Sequence, residues 1–120
     1  MEIEAVYVIS VVSRLLGMHP QTLRKYERAG LVRPSRSEGM LRMYSDNDVS
    51  RLRLIKHLVD DFGLNLAGVE LVLRMRERLV SFRAVLADGS MLSPAALEKH
   101  LDEFLMTFEQ REETPWTQIE

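Results

Sequence analysis

Residues 8–30, VISVVSRLLGMHPQTLRKYERAG, decide the fold. Gly17-Met18-His19 breaks this stretch into two segments of helical character. The first, Ser10–Leu16, has Ser10 as its N-cap and Val11, Val12 and Leu15 as its apolar face. Gly17 stops it. The second, Pro20–Ala29, opens on a proline, whose missing N–H would have had no intrahelical partner at that position anyway. Leu23 and Tyr26 share one face of it, and Gly30 closes it. Two short helices joined by a three-residue turn make a helix-turn-helix. In that geometry the first helix braces the second, whose outer face can enter a DNA major groove. With Leu23 and Tyr26 turned inward, the outward residues are Gln21, Thr22, Arg24, Lys25 and Arg28. These side chains hydrogen-bond base edges and phosphates.

Helical periodicity fails immediately downstream. Residues 31–44, LVRPSRSEGMLRMY, hold Pro34, Ser35, Ser37 and Gly39 between short alternating apolar pieces, which predicts a two-stranded hairpin. It carries Arg33, Arg36 and Arg42, as a wing beside a recognition helix would. A third helix starts at Ser45 or Asp46, with Asp48 near its positive end and Val49, Leu52, Ile55 and Val59 as its stripe; Gly63 ends it. A fourth runs from near Asn65 to about Ala87. Its residues Val72, Met75, Leu79, Phe82 and Leu86 are spaced alternately by three and four, a heptad seam that calls for a partner. Asp88-Gly89-Ser90 breaks it. A fifth helix starts with Ser93 as N-cap and Pro94 behind it, with Leu97, Leu101, Phe104, Leu105 and Phe108 on one side. The expected organisation is a winged helix-turn-helix head over residues 7–70, a helical dimerisation arm over 71–112 and a flexible tail over 113–120. The fold class is mostly α with a small β-hairpin.

Composition narrows the function classes. The chain has 120 residues, 46% hydrophobic and 28% charged, which fits one compact domain plus an extension. No apolar run approaches the roughly 20 residues of a membrane span, and the N-terminus lacks the pattern of a signal peptide. There is no cysteine, so a cytoplasmic location is expected, with nucleoid association when bound to DNA. The overall net charge of −2 hides an asymmetry: residues 10–57 carry +6 and residues 58–120 carry −6. The basic half attracts polyanions and the acidic half keeps off them. His19, His57 and His100 are scattered without ligand spacing, so no metal site and no cofactor are expected. His100 reads as a packed or exposed side chain among Leu97, Leu101 and Phe104. No phosphate-binding glycine loop, nucleophile–base set or catalytic carboxylate pair is present, and the chain reads as a non-enzyme.

Taken together, the motifs resemble the MerR family of bacterial regulators. The run G-x-x-x-x-T-[LI]-R-x-Y-[ED]-x-x-G-L is met by Gly17, Thr22, Leu23, Arg24, Tyr26, Glu27, Gly30 and Leu31. Arg42-Met43-Tyr44 then stands where the wing of that family ends, and an acidic-capped helix with Asp48 and Leu52 follows. The resemblance covers about 70 residues. A narrower one, to the heat-shock repressor (HspR) subgroup, rests on YVIS, on Gly17-x-His19-Pro20-Gln21-Thr22-Leu23-Arg24, and on Gly63-Leu64-Asn65-Leu66-Ala67-Gly68-Val69. It implies a dimeric repressor of chaperone operons on an inverted-repeat operator, with a DnaK-type chaperone as co-repressor. The family resemblance also implies that the seam on the fourth helix pairs with a second copy as an antiparallel coiled coil. The chain departs from the subgroup in its wing, where Met40, Leu41 and Met43 interrupt the usual arginines and leave Arg42. Relatives that sense metals or oxidants do so through C-terminal cysteines, which this chain lacks, and drug-sensing relatives carry a large ligand domain, for which little sequence follows the fifth helix.

Individual roles follow from chemistry. Arg24 can bridge guanine O6 and N7, and its alternative is a phosphate clamp. Lys25 and Arg28 suit phosphate. Gln21 and Thr22 sit at the helix N-terminus, nearest the base edges, although Thr22 can equally bond its own backbone. His19 reads first as a helix cap and second as a phosphate contact. Arg36 and Arg42 are wing contacts, and Tyr26 and Tyr44 are expected half-buried with hydroxyls reaching phosphate. Glu27 repels DNA and is expected to orient an arginine of the wing or first helix. Two other functions fit parts of this pattern. One is an activator that distorts promoter DNA; the other is a helical adaptor that binds proteins through residues 66–120. An adaptor would have no use for Gln21, Thr22, Arg24, Lys25 and Arg28 together.

Overall fold

The structure, a computed structural model, describes residues 5–89 and 93–109. They group into two units, one ending at Gly63 and one beginning at Leu64. The first unit starts with strand β1 (Val6–Val8), which runs directly into helix α1 (Ile9–Leu16). The expected Ser10 cap is not used. Val8 is the N-cap residue, with no side-chain cap bond, because it is still in extended conformation and paired with Met43. The apolar face is also shifted from the expected one. Val12 and Leu16 are buried, whereas Val11 and Leu15 are exposed. Four apolar residues in two adjacent pairs define two overlapping i, i+4 stripes, and only packing chooses between them. Gly17 closes α1 at φ 63°, a left-handed conformation that glycine adopts without a steric cost.

Helix α2 (Pro20–Arg28) follows, and then strands β2 (Ser35–Arg36) and β3 (Arg42–Ser45). The predicted hairpin is present, but it belongs to a three-stranded antiparallel sheet in the order β1-β3-β2. Tyr7 pairs with Tyr44 on one side of β3, and Ser35 pairs with Met43 on the other. The strand β1 escaped prediction because three residues fused to a helix give no alternation to read, and their partner lies far along the chain. Helix α3 (Asp46–Asp60) begins in a capping box: Ser45 Oγ accepts from Asp48 N at 3.1 Å, and Asp48 Oδ2 accepts from Ser45 N at 2.9 Å. Its buried stripe is Val49, Leu52, Ile55 and Leu58, with Leu58 taking the place expected for Val59. Val12, Leu23, Tyr44, Leu52 and Ile55 are fully buried and form the centre of this unit.

The second unit is a pair of helices, α4 (Leu66–Asp88) and α5 (Pro94–Glu109), packed on each other. Asn65 Oδ1 caps α4 by accepting from Gly68 N at 2.9 Å, and Gly89 at φ 68° ends it. Ser93 caps α5 as expected, its Oγ accepting from Ala96 N at 3.1 Å. Of the heptad seam, Val72, Met75 and Phe82 are half-buried, while Leu79 and Leu86 are exposed. On α5, Leu101, Leu105 and Phe108 are exposed as well. His100 is half-buried against the Phe82 ring, centroids 6.0 Å apart. No helix among the described residues is long and apolar enough to cross a membrane. The tail expected over 113–120 lies outside the described residues.

The capping box makes a direct test of this folding account. Ser45→Ala should cost about 1 kcal/mol of unfolding free energy, and adding Asp48→Ala should cost less than the sum of the two single changes. Urea unfolding of the four proteins checks this; strict additivity would show that the two bonds do not act as a unit.

Candidate nucleic-acid interface

Helix α2 is the centre of the site, and the segments before and after it are fixed by side-chain bonds. At its start, His19 Nδ1 accepts from Gln21 N at 3.0 Å, so the residue acts as the cap. That bond needs an unprotonated Nδ1, and the imidazole remains exposed beside the helix N-terminus. From α3, Lys56 Nζ donates to Leu16 O at 2.6 Å and ties down the end of α1. Arg51 Nε donates to Leu31 O, just past the end of α2. Ser13 Oγ donates to Met18 O at 2.5 Å and closes the turn between the two helices. Arg51 and Lys56 were not anticipated as bracing residues. The available signal was a cation flanking the apolar stripe of α3, which sequence alone cannot distinguish from a solvated charge.

Leu23 and Tyr26 are buried, which turns the opposite face of α2 outward as expected. Gln21, Lys25 and Arg28 are exposed, and Thr22 and Arg24 are half-buried. Five side chains with hydrogen-bonding or cationic heads therefore share one face of a braced helix.

The wing is tied to that helix through Glu27. Its Oε1 accepts from Arg36 Nη2 at 2.7 Å, and its Oε2 accepts from Arg42 Nε. Glu27 thus orients two wing arginines, where one had been expected. Each guanidinium keeps further donors for a ligand. Arg36 Nη1 also reaches Met40 O at 3.4 Å, linking the same cluster to the tip of the hairpin. Arg33 is exposed at the base of the wing.

Tyr44 requires a correction. It is fully buried, not half-buried, and its hydroxyl has no hydrogen-bond partner among the described residues. With no exposed atom it cannot touch a phosphate in this conformation; it fills the core beneath the wing. Burial pushes its phenol pKa up, and the Glu27 carboxylate adds to the effect, against Arg42, Arg36 and Arg24, so the hydroxyl stays neutral. Tyr26 is likewise buried, and burial followed by the nearby Asp60 charge raises its pKa. Tyr7, by contrast, donates from its hydroxyl to Asp46 Oδ1 at 2.9 Å and so links β1 to the start of α3. Among the described residues, no three His, Cys, Asp or Glu side chains cluster in a way that could hold a metal ion.

Comparison with known proteins places this geometry. Residues 7–76 match the profile of the MerR HTH family regulatory proteins. The chain is 45% identical over 83 residues to a Streptomyces coelicolor protein named as heat shock protein HspR; the match covers 69% of this chain and 55% of that protein. The chain thus spans about half the length of that relative. It is 37% identical over 95 residues to the transcriptional regulator GlnR of Bacillus cereus, covering 79% of this chain and 73% of that one. Among solved structures, HiNmlR, a MerR family regulator lacking the sensor domain and bound to promoter DNA, superposes with a TM-score of 0.51. That match is 21% identical and covers 88% of this chain and 69% of the other, so it speaks for the fold alone. The family profile spans more than half of the chain and includes the whole of the braced helix and wing, and the chain accordingly belongs to the MerR HTH family of regulatory proteins.

Proposed function

We propose that this chain is a dimeric repressor of heat-shock or chaperone genes that binds an inverted-repeat operator. The observation that carries the DNA-binding part is the outward face of α2, where Gln21, Thr22, Arg24, Lys25 and Arg28 stand together on a helix held at its end by Arg51, with Lys56 fixing the end of α1 before it. Gln21, Thr22 and Arg24 are the base readers in this proposal; Lys25 and Arg28 hold phosphate, with His19, Arg36 and Arg42 at the margin. Membership of the MerR HTH family of regulatory proteins supports this reading, and the similarity to HspR supports the heat-shock assignment.

Dimerisation through the arm (residues 71–112) supplies the symmetry of the operator. Leu79 and Leu86 on α4, with Leu101, Leu105 and Phe108 on α5, are exposed apolar side chains that a second copy could cover. A DnaK-type chaperone is the proposed co-repressor, with the arm or the tail residues Trp116 and Ile119 as its contact. For this to regulate, the chaperone must prefer the DNA-bound form, because binding both forms equally shifts nothing.

Selection of bound sequences from random duplex DNA tests the first reading, and recovery of an inverted repeat is expected. On the selected site, Arg24→Ala should cost roughly 1–3 kcal/mol per head and relax base preference at one position. Lys25→Ala should weaken selected and random DNA alike and flatten the salt dependence of binding. Equal losses on both DNAs for Arg24→Ala would make Arg24 a phosphate contact. For the arm, Leu79→Glu combined with Leu86→Glu should sediment as a monomer at micromolar concentration and lose the avidity of paired heads; a persistent dimer would place the interface elsewhere. For the co-repressor, operator titrations with and without purified chaperone should separate, the chaperone strengthening binding. A chain ending at Glu112 that responds like the full chain would exclude the tail as the contact.

A further inference from the structure

The tip of the wing is built unlike a phosphate clamp. The turn is closed by Ser37 N donating to Leu41 O and Met40 N donating to Ser37 O, both at 2.9 Å, and by Leu41 N donating to Ser37 Oγ at 3.1 Å. It is thus a bonded, defined turn. At its apex Met40 adopts φ 62°, although Gly39 stands beside it, so the chain puts a long apolar side chain where a glycine would be free of strain. Met40 is 70% exposed and Leu41 is 61% exposed. No other large apolar side chain among the described residues is as exposed as Met40. Nearby charge nearly cancels: Arg33, Arg36 and Arg42 are opposed by Glu27 and Glu38. The tip therefore gains little from phosphates and offers chiefly apolar surface.

Resting on the DNA-binding reading above, we infer that Met40 and Leu41 form an apolar wedge that enters the minor groove beside each half-site and partly unstacks a base step. Duplex DNA is the occupant because the tip is tied through Glu27 to α2, the helix whose outer face carries the exposed Lys25 and Arg28. Arg36 bonds both Glu27 of that helix and the Met40 carbonyl, so a duplex lying along Lys25 and Arg28 brings its neighbouring groove to the tip. Apolar side chains inserted at a base step unstack it and kink the duplex, and flexible pyrimidine–purine steps accept this most easily. The wedge would give the protein a preference for such steps at positions where no side chain reads a base edge.

The test uses the full chain and a duplex obtained by selection from random sequence, labelled with 2-aminopurine at successive positions across and beyond each half-site. Wild-type protein should raise the fluorescence at a flanking step. Met40→Asn with Leu41→Ser keeps a residue tolerant of the left-handed conformation at the apex. It should abolish that rise and weaken binding about tenfold, a change of about 1.4 kcal/mol, with the salt slope unchanged. Leu41→Ser alone, which leaves the Met40 backbone untouched, should lose part of both signals and guards against misfolding of the double variant. Unchanged DNA affinity and fluorescence in the variants overturn the wedge, whatever protein the tip might touch. A salt slope that falls together with affinity also overturns it, since the tip would then be an electrostatic contact. Wild-type protein that selects no DNA sequence overturns the underlying DNA-binding reading and the wedge with it.

Discussion

Both oxygens of Glu27 are taken, Oε1 by Arg36 and Oε2 by Arg42, and the placement of the wing relative to α2 depends on that fork. The β2–β3 ladder pairs only Ser35 with Met43 and Arg36 with Arg42, too little to hold a hairpin in place by itself. A carboxylate on the helix that bonds two guanidinium groups on two strands supplies the missing restraint, and planar fork geometry makes it directional. Side chains of the pair are 19–36% exposed, so solvent screening keeps its contribution to stability small. Its role is registration. It also consumes cationic character, which explains how a hairpin bearing three arginines presents so little net charge.

The sequence was most legible where a single residue type answers a single backbone requirement. Pro20 at the start of α2, Gly17 at the end of α1 and Ser93 before α5 each have one plausible position, and the structure puts them there. The wing and the inward pair Leu23–Tyr26 were legible for the same reason. Legibility failed where the answer depends on distant contacts. The phase of α1 turns on whether Val11 and Leu15 or Val12 and Leu16 meet the core, and the local sequence serves both. Strand β1 exists because β3 has a free edge, a fact held in residues 42–45. Tyr44 looked like a ligand-facing phenol, but the alternation of β3 and the depth of the core beneath it bury the hydroxyl.

The two units differ in charge. The head carries the positive half of the chain and the arm lies in the negative half. If the head binds DNA as proposed, an acidic arm would not compete with it for the polyanion. Several large apolar residues of α4 and α5 are left exposed. Leu79, Leu86, Leu101 and Leu105 are each about half exposed, so covering them would recover only about half of the roughly 1.5–3 kcal/mol of a full leucine burial.

Within the head, the distribution of cations implies a division between α2 and the wing. Lys25 and Arg28 are exposed on α2, outside the Glu27 cluster, whereas Arg36 and Arg42 of the wing share one carboxylate. Electrostatic attraction should therefore be concentrated along the helix, and the wing contributes shape. A protein arranged this way would locate DNA through α2 and sense its deformability through the hairpin. The link between the two is short, since Glu27 lies two residues after Lys25 and one before Arg28. The Glu27 pair links α2 to the arginines of the wing and, through Arg36, to the Met40 carbonyl at its tip. If α2 reads bases and the tip reads shape as proposed, the two contacts would be coupled through a single side chain.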